Sequence, residues 1–117
     1  MSPDSVTLRR FEALVVRCLD DLPAPLAELL DNVVILVEDE HPDEPDLLGL
    51  YDGTPLTERG AYGYGEFPDQ VTIYRLAHLA ECESFAELTR EVRTTVIHEL
   101  SHHIGVDDER LAELGWA

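Results

Sequence analysis

His98-Glu99-Leu100-Ser101-His102-His103-Ile104-Gly105-Val106-Asp107-Asp108 places two histidines four residues apart, with a glutamate directly after the first. On an α-helix, positions i and i+4 lie one turn apart on the same face, so His98 and His102 can aim two ring nitrogens at one point. That is the geometry a zinc ion accepts. Glu99 is about 100° further round the helix, from where its carboxylate reaches a water beside the metal without being a ligand itself. Gly105 can stop the helix three residues after His102. The chain can then turn back and bring in Asp108 as a third ligand, with Asp107 and Glu109 as neighbouring alternatives or caps of the next helix.

A helix wheel with His98 at zero puts Leu88, Phe85, Val92, Val96, Leu100 and Ile104 between about 80° and 240°, a broad core-facing arc. His98 and His102 fall at its rim, dry on one side and open on the other. Glu99 points inward along the same edge. His103, at about 140°, falls among the apolar residues and is expected to be a hydrogen-bonded core histidine, not a ligand.

Composition narrows the partners. The 117-residue chain has 25 acidic residues against 8 basic ones, a net charge of −17, and every basic residue is arginine. Such a field repels nucleic acid and anionic membrane surfaces, so neither is expected as a partner. One domain over residues 1–117 is expected, since this length supplies one modest core. No window approaches the roughly 18–20 apolar residues of a membrane span, and Met1 to Arg10 lacks the apolar run of a signal peptide. Cys18 and Cys82 match no metal-ligand spacing and read as buried, reduced thiols. The expected setting is cytoplasmic.

The remaining elements follow from periodicity. Ser5 to Leu22 reads as an amphipathic helix, with Leu8, Phe11, Leu14, Val15, Cys18, Leu19 and Leu22 on one face and Pro23 and Pro25 ending it. A turn of helix is expected over Pro25 to Leu30. Val33 to Val37 is β-branched and apolar on both faces, which predicts a strand that lies inside a sheet or is covered on both sides. An acidic loop carrying His41 separates it from a second strand, Leu47 to Tyr51, closed by the turn signal Asp52-Gly53. Thr54 to Pro68 looks irregular and holds Tyr62 and Tyr64. Val71 to Tyr74 reads as a third strand, and Arg75 to Ala80 as a helical turn with His78. Ser84 and Glu87 form a capping box that opens the site helix, which runs to about Ile104. A short helix from Asp107 to Leu114 closes the chain. The fold class expected is α+β, a small sheet packed on a long site helix between an N-terminal and a short C-terminal helix.

The pattern His98-Glu99-x-x-His102-x-x-Gly105-x-x-Asp108 resembles that of the zincin metallopeptidases, with aspartate where metzincins carry a third histidine. Met1 is the only methionine, so no Met-turn follows the third ligand. Leu47-Leu48-Gly49-Leu50-Tyr51, Pro55-Leu56-Thr57-Glu58-Arg59, Pro68-Asp69 with Val71-Thr72-Ile73-Tyr74, and His98 through Leu111 resemble the minimal, single-domain zincin-like proteins of bacteria. The resemblance implies a zincin-like fold, one zinc ion and a zinc-dependent peptidase acting on a peptide or protein substrate. In that reading His98, His102 and Asp108 hold zinc and Glu99 is the general base. Tyr62, Tyr64 and Arg110 are candidate oxyanion donors or substrate contacts. Val71, Thr72, Ile73 and Tyr74 form a candidate strand for pairing with an extended peptide. The rival reading is a non-catalytic metal-binding or protein-interaction module on the same scaffold.

Overall fold

The computed structural model describes residues 6–28, 33–53, 69–104 and 108–114. In chain order these form α1 (Leu8–Asp20), α2 (Ala24–Ala27), β1 (Val33–Glu38), β2 (Gly49–Asp52), β3 (Asp69–Tyr74), α3 (Arg75–Glu81), α4 (Phe85–Ile104) and α5 (Asp108–Leu114). The fold is α+β, as the periodicity implies. Thr7 caps α1 by accepting from the Arg10 N–H, so this helix starts at Leu8, three residues later than the apolar pattern alone suggests.

The sheet has the order β1-β3-β2, with β1 parallel and β2 antiparallel to the central strand. Two expectations are corrected here. The most apolar strand, β1, lies at an edge among the described strands, and its Val34 and Leu36 are 37% and 36% exposed. A run of β-branched residues satisfies a covered strand and a half-covered edge equally well, so composition could not separate the two. The central position goes to β3, where Val71, Thr72, Ile73 and Tyr74 are all buried. Because β1 and β2 take up both of its sides, β3 has no edge to offer an extended peptide. The expectation that Val71 to Tyr74 pairs with substrate therefore fails on hydrogen-bond topology.

The core forms where α1 and α4 meet the sheet. Phe11, Leu14 and Val15 from α1, Val71 and Ile73 from β3, and Leu88, Val92, Val96, Ile97 and Leu100 from α4 join one buried cluster. Fully burying a side chain of this size contributes about 1.5–3 kcal/mol. The buried arc of α4 is wider than the apolar residues alone define, because Thr95, Glu99 and Ser101 are buried too. Ser101 is accommodated by donating its hydroxyl to the His98 carbonyl. Cys18 and Cys82 are free and buried, and burial pushes both thiols up, Cys82 to about 11, so neither is poised as a nucleophile or ligand.

The start of α4 is fixed by a variant of the expected capping box. The Ser84 hydroxyl accepts from the Glu87 N–H at 3.1 Å. The Glu87 carboxylate accepts from the Glu83 N–H at 3.4 Å instead of from Ser84. A cap of this kind is worth about 1 kcal/mol, and it sets the register of the helix that carries the candidate site.

Candidate metal centre

α4 runs beside β2, and the close approach is made at Gly49. A Cβ built there would lie 2.7 Å from Thr95 Cγ2 and 3.1 Å from Glu99 Cγ. Only a residue without a side chain lets the strand come this near to the helix. Between the two lies a cleft of about 650 Å³, lined from the strand side by Asp46 to Tyr51 and from α4 by Glu91, Thr94, Thr95, His98, Glu99 and His102. The α4 residues in this lining make one stripe along the helix, the face that the wheel assigned to the site's rim.

His98, Glu99 and His102 converge at the cleft, with one potential ligand atom from each within 4.8 Å of the others. The two imidazole rings are 4.7 Å apart between centroids and inclined at 68°. Glu99 is buried, and its Oε1 lies 3.4 Å from His102 Nδ1. That contact holds the carboxylate beside the imidazole at the cleft. The His102 side chain is 44% exposed, so the donors face a space that solvent and substrate can enter. Two imidazoles beside a carboxylate, on one helix face and at the mouth of a cleft, are a donor set suited to zinc.

The other expected site residues fare differently. Tyr62 and Tyr64 lie outside the described residues, as do Gly105 and Asp107. Asp108 is the first residue of α5, but its side chain and that of His103 are outside what the structure describes. Arg110 is exposed on α5 and pairs with Glu113 at 2.9 Å. It is absent from the described lining of the cleft. His41 is held in its loop, where Nδ1 accepts from the backbone N–H groups of Asp43 and Glu44, and its ring stands edge-on to Tyr74.

Sequence reasoning assigned no site role to Tyr51, Asp69 or Thr95. Tyr51 packs edge-on against His102, with ring centroids 6.2 Å apart. Its hydroxyl donates to the buried carboxylate of Asp69 at 2.6 Å. Thr95, one turn before Glu99, is hydrogen-bonded at 2.9 Å to Nε2 of the fully buried His78. The Gly49 approach did leave a signal, because a glycine inside a strand run marks a bulge or a close backbone contact. The Tyr51–Asp69 pair left none, since only the register of β2 on β3 brings the two together.

A family profile described as zincin-like metallopeptidase matches residues 30–116. The chain belongs to the zincin-like metallopeptidase family, and the match spans the sheet, the site helix and α5. A solved structure, a conserved hypothetical protein from Thermo thermophilus, is similar at 26% identity and a TM-score of 0.57, over 92% of this chain and 99% of that one. No curated protein matches. The family implies a zinc cofactor, and the His98–Glu99–His102 cluster supplies donors for it. Among the described residues, no helix is long and apolar enough to cross a membrane.

Proposed function

We propose that this protein is a zinc-dependent peptidase whose ion is held by His98, His102 and Asp108 and whose general base is Glu99. The observation that carries the reading is the convergence of two imidazoles and a buried carboxylate at the mouth of the cleft. Asp108 enters by its spacing from Gly105 and its place at the start of α5. Zinc, when bound, supplies Lewis acidity for a peptide carbonyl and lowers the pKa of water towards about 7.

The chain's own residues do the rest. The Glu99 carboxylate takes the proton from the attacking water and returns it to the leaving amine nitrogen. Burial of Glu99 beside Gly49 keeps it aimed at the cleft rather than at bulk solvent. An extended peptide lies along β2, which lines the cleft and is paired with β3 on one side only among the described strands. The apolar lining from Leu47, Leu48 and Leu50 excludes water from the bound segment. The partner is a peptide or protein, and the cellular setting is the cytoplasm.

The test is cleavage of a peptide library by the zinc-loaded wild type beside Glu99→Gln. Cleavage by the wild type that the variant lacks supports the peptidase. Stoichiometric zinc in both, with no cleavage by either, replaces it with the non-catalytic metal-binding module.

A further inference from the structure

His102 is the more exposed of the two cleft histidines and sits near the end of the site helix. Its ring would turn freely about two side-chain bonds unless something held it. Among the described residues, besides the neighbouring His98 ring, two contacts do so: Glu99 on the Nδ1 side at 3.4 Å, and the Tyr51 ring edge-on at 6.2 Å. Tyr51 is itself anchored from behind. Its hydroxyl donates at 2.6 Å to Asp69, a carboxylate only 3% exposed at the first position of β3. At that length the hydrogen bond is a short one for a phenol and a carboxylate oxygen. Asp69 is confined in turn, because a Cβ at Gly53 would overlap its carboxylate. The turn after β2 thus closes over the carboxylate with a residue that has no side chain.

We infer that Asp69 and Tyr51 are positioning residues for His102. The carboxylate fixes the phenol, the phenol's ring fixes the imidazole, and the imidazole is presented at the cleft before any ion arrives. This rests on the reading of His98 and His102 as metal ligands. It adds a requirement that the ligand pattern alone does not contain: the register of a neighbouring strand sets the affinity of the helix-borne site. Partners that orient metal-bound histidines typically contribute about 10–100-fold in metal affinity.

The experiment is a zinc titration of the full chain and of Tyr51→Phe, Asp69→Asn and the double variant. Each is also loaded with cobalt(II) for its visible spectrum, and thermal melting is recorded on the metal-free proteins. Tyr51→Phe keeps the ring but releases it from Asp69, and Asp69→Asn weakens the acceptor. Each single change is expected to weaken zinc binding about 10-fold and to alter the cobalt spectrum. The double variant should be no weaker than the worse single one, because both act through one linkage. Single variants that bind zinc as the wild type does, with an unchanged cobalt spectrum, overturn the inference while leaving the metal site standing. Losses that simply add in the double variant, in step with its melting temperature, overturn it as well. A wild type that takes up no zinc removes both this inference and the function it rests on. Should Asp69→Asn fail to fold, Tyr51→Phe alone decides by its affinity and spectrum.

Discussion

Two imidazole environments lie against α4. His78 is fully buried on α3, with Nδ1 2.7 Å from the Tyr74 carbonyl and Nε2 2.9 Å from the Thr95 hydroxyl. Burial holds it below the usual histidine range, against the upward pull of Glu81 and Glu91. Both of its nitrogens are committed to the protein, and its ring packs on Phe11 at 5.6 Å. His98 and His102 belong to the helix itself, at the edge of a cleft, with a carboxylate beside them. The same side chain therefore braces the helix in one place and presents a donor in the other. What separates the two is access: His78 is fully buried, whereas His98 and His102 line a cleft that an outside partner can enter.

Removing the donors should break this comparison most completely. His98→Ala with His102→Ala is expected to abolish zinc binding, whereas His78→Asn should still take up one zinc per chain; isothermal titration reads both. Next in size is the base. Glu99→Gln should retain zinc and lose about 10²–10⁴-fold in peptide cleavage rate, the usual share of a positioned general base. Gly49→Val probes the contact that brings the strand to the helix. The added side chain meets Thr95, Glu99 and the Thr72 carbonyl, so a loss of about 1–3 kcal/mol in denaturant unfolding is expected.

The smallest effect concerns pH. Burial lowers the His78 pKa in the folded protein, while in the unfolded chain the group titrates near 6.5. Below that value the unfolded state binds the extra proton, so the stability from the buried neutral ring is complete above about pH 6.5 and is lost as pH falls. Wild type should lose stability between about pH 7.5 and 5.5 more steeply than His78→Asn, by at most about 1.4 kcal/mol per pH unit. Carboxylates on the neighbouring elements titrate in both proteins and cancel in the difference. Equal slopes in urea unfolding would show that His78 is not held neutral.

The helices and the site's rim were legible because both follow from a period of about 3.6 residues. His98, Glu99 and His102 could be placed on one edge of α4 from spacing alone, and Ser84 with Glu87 marked where that helix begins. The sheet was less legible. Val33 to Val37 and Val71 to Tyr74 are both short apolar runs, and nothing local in either says which is central. Strand order depends on pairing across long sequence separations, which also decides that β2, and not β3, borders the cleft. Tyr51 illustrates the same limit. Its link to Asp69 crosses from one strand to the next, and its contact with His102 crosses from sheet to helix, so no window of sequence contains either.

Zinc stoichiometry tests the central claim most directly. The 117-residue chain equilibrated with excess zinc and then freed of unbound metal should carry one zinc ion per chain, and His98→Ala with His102→Ala should carry none. A wild type that retains no zinc, or a double variant that retains as much as the wild type, would contradict the assignment of the cleft as a metal centre.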